Sequence, residues 1–171
     1  MDERVKEITW RQFGAAIDMF ANALRDCPPE LWQARMFEET EVDPGFAEFW
    51  AVAYHALFWL DLYLGGAIEG FAPPEPFILN ELDPDGKLSP VYSKEQLLGY
   101  LDHCREKCRV SIANLTEESA YRICRFGRRE MPFIELLLYT MRHVQEHGGQ
   151  LSLFLGQNGK NADRWVSVAR G

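Results

Sequence analysis

The sequence contains four histidines, His55, His103, His143 and His147, and three of them are spaced so that they could share an ion. His143 and His147 are four positions apart, one helical turn, so on a helix both imidazoles rise from one face and can reach a single cation. His55 is the sole histidine of a very apolar segment, Phe49 to Leu62. If that segment faces the one bearing the pair at an ordinary interaxial distance of about 8–10 Å, three rings can converge. A lone histidine on an apolar helix is more often a core residue with one hydrogen bond. A buried pair without a partner is costly to desolvate, however, and a metal satisfies all three rings together. Neutral imidazoles suit nickel or zinc first, iron or copper next, and magnesium or calcium poorly. Three ligands leave coordination incomplete, as in a catalytic site, where the ion lowers the pKa of bound water or of a coordinating thiol.

His103 lies more than about 100° around the helical wheel from its helix's apolar stripe, which points it to solvent or a polar rim. Di-iron bundles need Glu-x-x-His pairs, but the residues three before each histidine are Val52, Tyr100, Thr140 and Val144, which excludes that class. The run His143-Val144-Gln145-Glu146-His147 formally matches the H-x-x-E-H pattern of inverted zinc peptidases, with Glu146 as the base. The pattern is short, and a compact helical chain hardly supplies the substrate cleft a metal-dependent hydrolase needs.

Four amphipathic or apolar segments must position these residues, and no comparable strand pattern accompanies them. The first, about 9–27, opens at a Thr9/Gln12 capping box and carries Trp10, Phe13, Ile17, Phe20 and Leu24 as one seam before Pro28-Pro29. The second, about 44–65, opens at Asp43-Pro44 and is apolar almost all round, so it should lie deepest in the bundle or meet another subunit. A proline-rich connection, about 67–92, reads as a crossover without regular structure. The third helix, about 93–115, opens at a Ser93/Gln96 capping box, and residues 116–121 add a short turn. The fourth, about 132–155, starts at Pro132 and ends at Gly156, and the tail beyond reads as polar loop apart from Trp165 and its neighbours. Gly148 and Gly149 inside this helix cost about 1 kcal/mol each relative to alanine. Gly148 falls on the apolar stripe, where either another helix comes close or a ligand finds room.

The 171 residues suit a single domain, and 47% apolar with 26% charged residues is an ordinary globular composition. With 18 basic against 26 acidic residues the net charge is −8, which argues against nucleic acid as a partner. No basic segment followed by an apolar run opens the chain, and no apolar run reaches the roughly 20 residues of a membrane span, so a cytoplasmic protein is expected. Cys27, Cys104, Cys108 and Cys124 form no C-x-x-C pair and read as buried, reduced thiols.

Taken together, His55 within Phe49-Trp50-Ala51-Val52-Ala53-Tyr54-His55-Ala56-Leu57-Phe58 and the run His143-Val144-Gln145-Glu146-His147-Gly148-Gly149-Gln150-Leu151 resemble the DinB/YfiT-like family of proposed metalloenzymes, the DinB-like domain. That family combines one histidine on its second helix with an H-x-x-x-H on its fourth, and the match extends over about residues 9–156. The resemblance implies an all-α four-helix bundle with long connections, a divalent metal held by His55, His143 and His147, and frequently a homodimer. Characterised members include transferases and isomerases that use a low-molecular-weight thiol such as bacillithiol, mycothiol or glutathione. On this reading a small-molecule thiol is activated and transferred to an electrophile, and Arg122, Arg125, Arg128 or Arg129 receives its carboxylates. Glu48, two turns before His55, is a candidate to orient a ligand or act as base, although a helix-start acid favouring the dipole is the simpler role. The competing reading is a non-enzymatic dimeric binding module whose histidines are structural.

Overall fold

The computed structural model describes residues 1–38, 44–83, 90–161 and 165–170. Its long helices are α1 (Glu3–Asp26), α2 (Phe49–Gly65), α3 (Lys94–Ala113) and α5 (Phe133–Gln157), with a short α4 (Glu117–Tyr121) and a hairpin, β1 (Ile123–Phe126) and β2 (Arg129–Pro132), between α3 and α5. The chief packing sets both α1 and α2 against α3 and α5. The proline-rich connections thus put the consecutive helices α1 and α2 on a diagonal of the bundle.

Each helix buries the face its sequence marks as apolar. Phe13, Ile17, Phe20 and Leu24 of α1 and Leu97, Leu101, Cys104, Cys108 and Ile112 of α3 are all buried. α2 is buried almost all round, and only His55, Trp59 and Gly65 escape. It is therefore the central helix of the bundle. Ser93 and Gln96 form the reciprocal capping box expected at the start of α3.

Some boundaries differ from expectation. α1 begins at Glu3, capped by the Asp2 carboxylate, which accepts from the Arg4 amide at 2.8 Å. Thr9 lies within the helix and donates to the Val5 carbonyl at 2.7 Å, so no capping box forms there. The physical reason is that nothing between Glu3 and Ile8 breaks a helix, and Asp2 satisfies the first free amides as well as Thr9 would. Pro44–Ala47 is a 3₁₀ turn and α2 proper starts at Phe49. The cap expected from Asp43 lies outside the described residues.

Two segments expected to be irregular are ordered. Residues 123–132 form the antiparallel hairpin, with Phe126 opposite Arg129 and Gly127 at φ 60° first in a two-residue turn, the backbone a tight hairpin asks of glycine. The C-terminal segment docks on α1: the Val166 side chain is buried with Ala15 and Met19, and the Ala169 amide donates to the Arg11 carbonyl at 2.9 Å. The Arg170 amide donates to the buried Asp18 carboxylate at 2.6 Å, while Trp165 itself stays exposed.

The connection after α2 also packs. Phe77 stacks between Tyr54 and Tyr100, and the Tyr54 hydroxyl meets the Ile78 carbonyl at 2.7 Å and the Asn80 amide oxygen at 2.8 Å. These contacts hold a 3₁₀ turn, Leu79–Leu82, against α2. No helix among the described residues is long and apolar enough to cross a membrane.

Candidate metal centre

The site lies between α2 and α5, where two side-chain ladders with one-turn spacing face each other. His55, Trp59 and Tyr63 rise along α2, and Tyr139, His143 and His147 rise along α5. Because α2 and α5 run antiparallel, the histidines meet at one end of the pair. Tyr63 and Tyr139 meet at the other, their ring centroids 5.6 Å apart.

His55, His143 and His147 each offer a nitrogen, and these atoms lie within 4.8 Å of one another. The ring centroids are 5.3 Å apart for His55 and His143, 5.1 Å for His55 and His147, and 4.5 Å for His143 and His147. The Nε2 atoms of His143 and His147 are 3.1 Å apart. That separation fits two ligands of one ion: with metal–nitrogen bonds of about 2.1 Å it corresponds to an angle near 95°.

The outer nitrogens show which atoms are free. His55 Nδ1 lies 2.7 Å from a Glu81 carboxylate oxygen, and His147 Nδ1 lies 2.8 Å from the Gln150 amide oxygen. In both, Nδ1–H donates outward and the Nε2 lone pair is left to face the centre, the arrangement that orients ligating histidines in metal sites. The Nδ1 of His143 is buried with no partner among the described residues.

Burial, reinforced by His147 and His55, drives His143 down to about 3. His147 is lowered as well, chiefly by burial and then by His55, against the opposing pull of Gln150, Glu146 and Glu81. Both rings are therefore neutral near pH 7, the state in which imidazole binds a metal.

A cleft of about 260 Å³ opens beside the triad, lined by His55, Trp59, Tyr63, Arg129, Tyr139 and His143. The structure brings together the three histidines that the spacing singles out, and it brings one of the four arginines, Arg129, to their cleft. Arg122 packs over the Phe133 ring at 4.4 Å and donates to the Gly65 carbonyl at 3.2 Å. Arg125 pairs with Glu130 at 3.0 Å, and Arg128 sits exposed in the hairpin turn.

Neither carboxylate considered from the sequence lines the cleft. Glu48 precedes α2 and accepts from the Trp50 indole at 2.6 Å. Glu146 is exposed and lines a separate groove with Gln12, Ala16 and Gln145. His103 is 3.4 Å from the buried Asp61 carboxylate and takes no part.

Glu81 is the residue sequence reasoning missed. Its side chain is only 10% exposed and accepts from both His55 Nδ1 and the Trp59 indole, at 2.7 and 3.0 Å. Nothing in its local sequence signals this, because the path of a proline-rich connection cannot be read from periodicity. Arg129 and Tyr139 had a weak signal: the alternation of Cys124, Arg125 and Phe126 before Gly127 is a short hairpin pattern, and Tyr139 lies one turn before His143.

Gly148 is buried against α1, where an added Cβ would lie 3.6 Å from the Phe20 backbone. That is an ordinary van der Waals distance, so α1 packs against this glycine but leaves room for a methyl group, and its approach does not by itself require glycine.

Comparison with known proteins follows the same outline. The model of the DinB superfamily matches residues 12–151, which contain the three histidines and Glu81. The fold is similar to the crystal structure of the DinB-like protein YjoA from Bacillus subtilis, with a TM-score of 0.60 over 91% of this chain and 94% of that chain, at 14% sequence identity. No curated protein matches the chain.

Proposed function

This chain is a member of the DinB superfamily, and from that premise we propose that it is a metal-dependent enzyme that activates a low-molecular-weight thiol and transfers it to an electrophilic carbon. The observation that carries this reading is the convergence of nitrogens from His55, His143 and His147 beside an open cleft. The donor set fits the ion: three imidazoles, two with outer hydrogen bonds fixing the ring, suit nickel or zinc, with iron or copper as further candidates. Bound there, such an ion would lower the pKa of a coordinated thiol or water at neutral pH.

The chain's own residues supply the rest. Glu81 holds His55 in the orientation that presents Nε2, and Gln150 does the same for His147. Trp59, Tyr63 and Tyr139 wall the cleft with aromatic surface against which the body of a substrate can pack. The thiol proton leaves through the open mouth to solvent. The sulfur electron pair then forms the new S–C bond, while the displaced group departs with the pair it shared with that carbon.

The test is metal analysis of protein expressed with nickel, zinc, iron and copper supplied, repeated on His147→Ala. Near-stoichiometric metal in the wild type, lost in a variant with unchanged helicity, supports the reading. A folded wild type without metal would overturn it and leave a non-enzymatic binding module. Thiol consumption in the presence of an alkyl electrophile then tests the transfer itself. It should be faster with the loaded wild type than with His147→Ala, and equal rates would sink the transferase step while leaving metal binding intact.

A further inference from the structure

We infer that the cleft beside the triad takes a small organic acid, and that Arg129 is the residue that anchors its carboxylate. This deepens the reading above and rests on it for the position of the reacting end. In this acidic chain most cations whose contacts are defined already have carboxylate partners: Arg105 with Asp18, Lys107 with Asp61, Arg109 with Glu106, and Arg125 with Glu130. Arg129 meets no carboxylate among the described residues. Its Nη1 donates to the Tyr139 hydroxyl at 3.1 Å, and its guanidinium carbon stands 5.7 Å from that ring's centroid. A guanidinium has five N–H donors, so most remain available for the two-pronged recognition of a carboxylate.

The hairpin gives this arginine its place. Pairing of Phe126 with Arg129 puts Arg129 directly after the turn, and Phe126 packs edge-on against Tyr63 at 4.9 Å, which fixes the hairpin to α2. Arg129 therefore lines the same cleft as His55 and His143, and among the described lining residues it alone carries a permanent charge. The nearby anion, Glu81, is engaged by His55 and Trp59 behind the cleft wall. The volume, about 260 Å³, is below the roughly 300–1,000 Å³ of pockets for drug-sized ligands. The aromatic walls suit a short apolar or unsaturated body between the anchored carboxylate and the histidines.

Calorimetric titration of nickel-loaded protein with 3-mercaptopropionate and with neutral 3-mercaptopropionamide tests the anchor. The acid should bind on the order of tenfold more tightly than the amide, the preference expected of a charge-assisted hydrogen bond. Arg129→Gln should abolish that preference, and Arg125→Gln should keep it. Metal content is measured first on the same sample, so a failure to load is recognised as a failure of the enzyme reading. A second arm uses metal-free protein with benzoate against benzamide, followed by the indole NMR signals, and isolates the anchor from the metal. Loss of benzoate binding in Arg129→Gln supports the inference. Absence of any acid preference in both arms, or a preference that survives Arg129→Gln, overturns it.

Discussion

Glu81 holds His55 at 2.7 Å through Nδ1 and, with the same carboxylate oxygen, accepts from the Trp59 indole at 3.0 Å. A residue from the long connection thereby fixes two members of the α2 ladder. Glu81→Gln keeps the shape of the side chain and removes its charge, and partners of this kind typically contribute 10- to 100-fold to metal affinity. Competition titration with a chromogenic chelator should show a loss in that range with little change in melting temperature. Equal affinities for the two proteins would mean that Glu81 serves only to pin the connection.

The thiols should be inert. All four cysteines are buried and unpaired, and burial pushes Cys27 up to about 12 and raises Cys104, Cys108 and Cys124 above the ordinary thiol value. A free thiol is largely thiolate at pH 9, where burial keeps Cys27, Cys104 and Cys108 protonated and shifts Cys124 in the same direction. Alkylation by iodoacetamide at pH 9 should be slow in the folded protein and reach four adducts after unfolding in guanidinium. Fast labelling of one cysteine in the native state would show that its segment opens.

Two glycines should respond oppositely to alanine. At Gly149, in the interior of α5, an added Cβ meets nothing within 4 Å, so Gly149→Ala should stabilise the protein by about 1 kcal/mol in urea denaturation. At Gly14 a Cβ would lie 2.6 Å from the Ala169 Cβ and 3.1 Å from the Trp10 ring. Gly14→Ala should therefore displace the C-terminal segment in spite of its better helix propensity. Hydrogen exchange at the Ala169 amide, which donates to the Arg11 carbonyl, should accelerate.

Asp61 is 1% exposed and bound by Lys107 Nζ at 2.6 Å and by the Tyr100 hydroxyl at 3.0 Å. Lys107→Met leaves a buried carboxylate short of its cation and should cost about 3 kcal/mol. The double variant with Asp61→Asn should recover a good part of that loss, since it removes the stranded charge. A single variant as stable as wild type would show that His103, 3.4 Å away, suffices as the partner.

How much could be read in advance follows from what each interaction depends on. The helix faces, the capping box of α3, the central burial of α2 and the one-turn pair His143/His147 are local or periodic properties, and the structure shows each of them. The start of α1 was not legible, because Asp2 and Thr9 offer equivalent caps and only the surrounding helix chooses between them. The hairpin was hidden by its length, since four-residue strands carry too little alternation to stand out from an arginine-rich loop.

The sequence by itself determined which residues share a helical face, and so which histidines could meet. Only the tertiary structure decided that the turn bearing Glu81 folds back onto His55 and that Arg129 faces the histidine cleft while Arg125 turns to Glu130. Those relationships join segments that are far apart along the chain or set by the hairpin's docking. They depend on packing such as Phe77 between Tyr54 and Tyr100, and Phe126 against Tyr63, which no local period records.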